Sequence, residues 1–238
     1  MSARRDKLFA FYRRWRFFVL LCALILLLCG QPIIAEFNLS VKLFDVLLGI
    51  VVAAAVLSHA EHRGFRWIGG IAGAAAVGFS FAGNSLADPL GRNCVLAGHA
   101  LAAAFLIGSA LLTVWAALRQ GEITLDTIFG AVCGYLLLGV AWAVLYSMVD
   151  FALPNAFRMN EELAEIAKTP GEAKNVYLYF SFVTLATLGY GDITPVANSA
   201  RTLAWLEAVI GQLYLAVLVA GLVGALISRE HERRNPRT

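Results

Sequence analysis

The sequence predicts an all-α membrane protein of six transmembrane helices with a short re-entrant helix before the last, and three observations carry that expectation. Of the 238 residues, 60% are hydrophobic and only 15% charged, where a soluble domain carries about 25% charged residues. The apolar residues gather into runs of roughly 18 to 25, the length that crosses about 30 Å of hydrocarbon as a helix. The basic residues cluster at alternate ends of those runs, as they do when one set of loops stays in the cytoplasm.

The first apolar run covers residues 17–35, behind a basic and aromatic segment containing Arg4, Arg5, Lys7, Arg13, Arg14 and Arg16. Two more follow at 43–58 and 67–82, the latter rich in glycine (Gly69, Gly70, Gly73, Gly78) in the manner of closely packed membrane helices. A fourth run spans 94–118 and a fifth 128–148. A polar stretch, 150–175, contains Pro154, Pro170 and several acids. The aromatic segment 176–187 is too short to span, and the last long run is 203–227.

With the amino terminus inside, most of the 19 Lys and Arg fall on inner segments, leaving Lys42, Arg92, Arg158, Lys168, Lys174 and Arg201 outside. An even number of spans then places both termini in the cytoplasm. The outer segments also carry Glu36, Asp88, Asp150, Glu161, Glu162, Glu165, Glu172 and Asp192, an acidic face that concentrates cations. Arg13-Arg14 before an apolar stretch has the look of a cleavable leader, and Leu28-Cys29-Gly30 faintly that of a lipoprotein site; the bulky Leu28 and the polytopic remainder argue for an uncleaved first helix. Cys22, Cys29, Cys94 and Cys133 form no CxxC pair and read as small apolar residues.

The segment with the sharpest chemistry is Thr187-Leu188-Gly189-Tyr190-Gly191-Asp192. A dehydrated cation needs a cage of oxygens in place of its water, and a ring of backbone carbonyls supplies one. Aiming successive carbonyls at one axis requires backbone of alternating hand, which glycine reaches at little cost, as Gly189 and Gly191 would. Leu188 and Tyr190 would point away from the axis, and Thr187 would add a hydroxyl at the inner end. One strand offers a quarter of a cage, so four subunits are required. Irregular backbone at membrane depth must be buried in protein or line a watery path. The short helix at 176–187 meets that need, and the negative end of its dipole would favour a cation beneath the segment. Tyr177, Tyr179, Phe180 and Phe182 are candidates for an aromatic cuff around it.

This segment resembles the signature of the potassium channels, normally Thr-Val-Gly-Tyr-Gly-Asp, with Leu188 in place of the valine. The likeness extends over about 126–227. It implies K+ sites at the carbonyls of Thr187, Leu188, Gly189 and Tyr190 with Gly191 completing the filter, a homotetramer, and passive K+ conduction with no cofactor beyond the permeant ion. On this reading the chain divides into a basic cytoplasmic segment 1–16, a peripheral four-helix bundle 17–118, a pore domain 119–228 and a cytoplasmic tail 229–238. The expected setting is the plasma membrane of a prokaryotic cell, with lipid as a partner.

Gly211 matches the family's hinge glycine and reads equally as a packing glycine. Val183 stands where some relatives place a filter-stabilising glutamate; Asp192 remains to anchor the outer end. Six spans with the pore in the last two resemble the voltage-gated architecture, but the fourth run has no arginine between Arg92 and Arg119, which argues against conventional voltage sensing.

Three ionisable residues lie within spans, and such groups are functional candidates by default. Asp45 and His99 read as a contact between helices two and four, as a proton-sensitive switch, or as satisfied structural groups. Glu207 reads as filter support, by bracing the pore helix or tuning conductance, or as plain interhelix bonding. His59 and His62 lack a further ligand and read as a solvated loop. The basic amino-terminal segment reads as an anchor on anionic lipid and not as a nucleic-acid site. No nucleotide-binding fingerprint is present, the terminal segments are expected to hold no regulatory domain, and an enzyme is not expected. A non-selective cation channel, a potassium-transporter subunit and a silent structural subunit that assembles with other channels are the alternatives.

Overall fold

The computed structural model describes residues 16–30, 42–58, 69–76, 78–79, 83, 86, 89–119, 124–168 and 170–234. The basic residues before Arg16, the pair His59 and His62, and the last four residues lie outside them, as does the side chain of Asp45.

Helices dominate. In chain order they are α1 (Arg16–Gly30), α2 (Lys42–Ser58), α3 (69–76), α4 (Leu90–Arg119), α5 (Leu125–Ala152), α6 (Glu161–Ala167), α7 (Pro170–Leu185) and α8 (Asn198–Arg234). Among the described residues three helices are long and apolar enough to cross a membrane: Leu90–Ala116, Leu125–Ala152 and Asn198–Gly221. Arg16–Gly30 and Leu47–Ser58 are shorter apolar helices.

Local chemistry sets the ends. Thr124 caps α5 by accepting from Thr127 N, the Thr127 hydroxyl accepts in return from Thr124 N, and Asp126 sits in the first turn against the positive end of the dipole. The helix stops at Leu153, ahead of Pro154. Asn160 caps α6, accepting from Leu163 N at 2.9 Å, with Glu161 and Glu162 in its first turn. Pro170 opens α7, where its missing N–H costs nothing. That helix therefore begins six residues before the aromatic run that was expected to contain it.

The polar stretch is also more ordered than its composition suggests. Besides α6 it holds β1 (Phe157–Met159), which pairs antiparallel with β2 (Ile193–Pro195) in the register Phe157 to Pro195, Arg158 to Thr194 and Met159 to Ile193. The described residues are mostly helical, as the expected all-α class requires, and this small ladder is an addition to it. Ala156 O extends it by accepting from Val196 N and Ala197 N at 2.8 and 3.1 Å.

Two apolar cores hold the helices. The larger joins Phe17, Leu20, Leu24 and Leu27 of α1 to Leu47 and Val51 of α2, Phe105 and Leu106 of α4, and Leu137 and Val140 of α5. Gly130 lets Phe17 approach: a Cβ there would lie 3.0 Å from its ring. The Cys133 thiol donates to Phe17 O at 3.3 Å, so this cysteine is structural. The smaller core is aromatic and lies beneath the strand pair, where Trp142, Tyr146, Phe157, Tyr177 and Phe180 pack with Ile193. Phe180 meets Tyr146 edge-on at 4.8 Å between ring centroids, and Phe157 meets both.

Candidate functional site

The segment 187–192 is suspended between the end of α7 and the start of β2. The helix closes in steps: Ala186 N donates to Phe182 O, Thr187 N to Thr184 O and Leu188 N to Val183 O, all within 3.0 Å. The unpaired carbonyls at this end carry the negative pole of the helix dipole.

Beyond the helix the backbone alternates. Thr187, Gly189 and Gly191 have φ of +57°, +58° and +81°, while Leu188 and Tyr190 between them do not enter that region. Alternation of hand at every second residue can turn successive carbonyl oxygens to one side, which an extended strand or a helix cannot do. Nothing lies within 4 Å of a Cβ built on Gly189 or Gly191, so both glycines answer a conformational demand and not a shortage of space. Thr187 was not expected to share that conformation; for a β-branched residue it is strained, and surrounding contacts must hold it. Gln212 of α8 supplies one, donating from Nε2 to Thr187 Oγ1 at 3.3 Å.

The outer end is pinned from three directions. The Tyr179 hydroxyl donates to Asp192 Oδ2 at 2.5 Å, Asn160 N donates to Asp192 O at 3.1 Å, and Ile193 N donates to Asp192 Oδ1 at 3.0 Å. The strand pair then fixes the exit to the stretch after α5. The inner end rests on α8 and α5. Gly211 comes so near the end of α7 that a Cβ would lie 2.5 Å from Leu185 O, and Tyr135 OH donates to the same carbonyl at 3.4 Å.

Glu207 sits behind this assembly, fully buried. Its Oε2 lies 2.5 Å from the Tyr146 hydroxyl of α5, and its Oε1 lies 2.5 Å from Ser181 Oγ of α7. Ser181 also donates to Gly139 O of α5 at 2.7 Å. One carboxyl group thus joins three helices.

The aromatic residues divide differently from the expected cuff. Tyr177 and Phe180 belong to the aromatic core of their own chain, and Phe182 packs where a Cβ on Gly139 would be 2.6 Å from its ring. Tyr179 alone of the four is exposed, at the Asp192 end. Leu188 and Tyr190 are 57% and 67% exposed on the single chain. His99 lies apart on α4, its Nδ1 2.8 Å from Val95 O of the same helix, and its pairing with Asp45 falls outside the described side chains.

Sequence reasoning missed Gln212, Ser181, Tyr146, Tyr135 and Asn160. A signal existed for the first two: each is a polar residue inside an apolar or aromatic helix, where an unsatisfied hydrogen-bonding group is costly. Among the described residues no cluster of His, Cys, Asp and Glu is suited to a metal ion.

Residues 172–228 match a family described as ion channel. The chain is 36% identical over 100 residues to the inward rectifier potassium channel Kirbac3.1 of Paramagnetospirillum magnetotacticum, covering 39% of this chain and 33% of that protein. It is 38% identical over 66 residues to two pore potassium channel c of Oryza sativa subsp. japonica, covering 26% of this chain and 14% of that one. It therefore spans a third or less of these two relatives. To Protein LctB of Bacillus caldotenax it is 30% identical over 125 residues, which cover 52% of this chain and 90% of LctB. No solved structure matches significantly.

Proposed function

The chain belongs to the potassium-channel family, and from that premise we propose that it is one of four identical subunits of a K+-selective channel, with 187–192 as the selectivity filter. The observation that carries the proposal is the positive φ at Thr187, Gly189 and Gly191, every second residue after the end of α7. Four such segments around an axis would stack rings of carbonyl oxygens from Thr187, Leu188, Gly189 and Tyr190, with the Thr187 hydroxyl below them, in place of the hydration shell of K+. Asp192 and Glu207 act as filter support, and Gly211 admits α8 to the end of the pore helix.

Two further features favour assembly. The exposed Leu188 and Tyr190 side chains find their packing on a neighbouring subunit. So do Trp205, Val209, Leu213, Val217 and Val219, large apolar side chains that α8 leaves exposed on the single chain. In the full assembly α1, α2 and the apolar stretch 67–82 complete six spans around the pore, in the plasma membrane with both ends cytoplasmic. The permeant ion is the ligand, conduction is passive, and no cofactor or catalytic step enters.

The test is the reversal potential of the purified full chain in a planar bilayer between asymmetric K+ and Na+ solutions. A reversal that follows the K+ gradient alone supports the proposal. A reversal indifferent to which cation is on which side makes it a non-selective cation channel. Saturable transport without unitary conductance makes it a transporter subunit.

A further inference from the structure

The contacts around Glu207 do not balance if its side chain is a carboxylate. Three short oxygen–oxygen contacts run in series: Tyr146 OH to Glu207 Oε2 at 2.5 Å, Glu207 Oε1 to Ser181 Oγ at 2.5 Å, and Ser181 Oγ to Gly139 O at 2.7 Å. Each needs a proton. Tyrosine and serine bring one apiece, a backbone carbonyl brings none, and an ionised carboxylate only accepts. The tyrosine proton serves the first contact. The serine proton serves either the second or the third, because one hydrogen cannot lie on two lines this short. Whichever it serves, the other contact sets two acceptors against each other at a distance they do not tolerate.

The surroundings agree with the count. Glu207 is fully buried, and its hydrogen-bond partners are Ser181 and Tyr146. The titratable groups that face it are Tyr146 and Tyr135 of α5, and among the described residues no Lys or Arg offsets a charge there. A buried carboxylate with no cation to pair with is strongly disfavoured.

We propose that Glu207 is held as a neutral carboxylic acid whose own O–H donates to Ser181 Oγ, completing one directional chain of hydrogen bonds from Tyr146 through Glu207 and Ser181 to the Gly139 carbonyl. Every contact then has a proton, and every member of the buried network is satisfied. The side chain is a positioning residue: it locks α7, and with it the segment 187–192, to α5 and α8 without placing a fixed negative charge behind that segment. The carbonyl end of α7 is left to set the local field.

The proposal rests on the channel reading only for its flux readout, and its own test is spectroscopic. The full chain is reconstituted in liposomes at neutral pH as wild type and as Glu207→Gln, and infrared spectra and K+ flux are recorded for both. Glutamine reproduces the neutral acid: its N–H donates to Ser181 and its carbonyl accepts from Tyr146. Wild type is expected to show the C=O stretch of a protonated, buried carboxyl that the variant lacks, and the variant to retain flux within about twofold. A wild type without that band overturns the proposal, as does a glutamine variant that fails to assemble or loses flux well beyond that range. The band present, with no K+ flux in either protein, upholds the proton assignment and sinks only the channel reading.

Discussion

The Tyr179 hydroxyl donates to Asp192 Oδ2 at 2.5 Å, a bond that closes the outer end of the 187–192 segment onto the helix that precedes it. The segment is otherwise held there by Asn160 N donating to Asp192 O, Ile193 N donating to Asp192 Oδ1, and the β1–β2 ladder. Tyr179→Phe removes one charge-assisted bond and keeps the ring. Tyr179 is exposed and Asp192 half-buried on the chain, so the cost is expected near about 1 kcal/mol per subunit, below the range for fully buried bonds of this kind. Conduction should persist while the open state becomes shorter-lived, which single-channel recording of the variant measures. Unchanged open times would show that the remaining bonds at Asp192 suffice.

Gly211→Ala tests the other end. A Cβ at this position would lie 2.5 Å from Leu185 O and 2.9 Å from the Leu185 side chain, and the backbone carbonyl cannot swing away without uncoiling the end of α7. The overpacking is expected to cost about 1–3 kcal/mol per subunit. The thermal dissociation temperature of the assembly should fall. A variant with unchanged thermal stability but altered open probability would assign Gly211 to bending instead of packing.

Of the six expected spans, the three carried by α4, α5 and α8 were legible in the sequence because membrane spans announce themselves by length and apolarity, and the alternating backbone of 187–192 because its two glycines sit at a short helix's end. What was not legible is the set of long-range pairings. Nothing near Glu207 in the chain points to Tyr146 or Ser181, which lie 61 and 26 residues away. Phe157–Met159 is three residues long and pairs with a partner beyond the 187–192 segment, so neither period nor length betrays it. The positive φ at Thr187 opposes the preference of a β-branched residue, and tertiary contact overrides it.

The missing arginines of α4 give a functional expectation. Between Arg92 and Arg119 the helix carries no Lys, Arg, Asp or Glu, and Arg92 itself is tied to the end of α5, its Nη2 donating to Ala152 O at 2.9 Å. Each charge moved through the membrane field supplies about 2.3 kcal/mol per 100 mV, and steep gating needs about 3–4 such charges per subunit. With none in the span, the conductance–voltage relation should be shallow, equivalent to less than about one charge per subunit. A steep relation in planar-bilayer recordings would require a sensor elsewhere in the chain.

Gly189→Ala separates conformational demand from crowding. The position has φ of +58° and open space around a built Cβ, so alanine meets no neighbour and the whole cost is the backbone's, about 1–2 kcal/mol in each subunit. In the proposed tetramer four copies would multiply that cost within one ring of oxygens, and the segment is expected to relax out of its alternating conformation. K+ selectivity should then collapse in the reversal-potential measurement while the helices still assemble. Ion binding supplies a second readout. A ligand bound only by the folded assembly stabilises it by about 2.7 kcal/mol at 100 times its dissociation constant, so K+ should raise the thermal dissociation temperature of wild type over that in Na+. Gly189→Ala should erase the difference. If the alanine variant keeps both selectivity and K+-dependent stabilisation, the positive φ at this glycine is not what the ion requires.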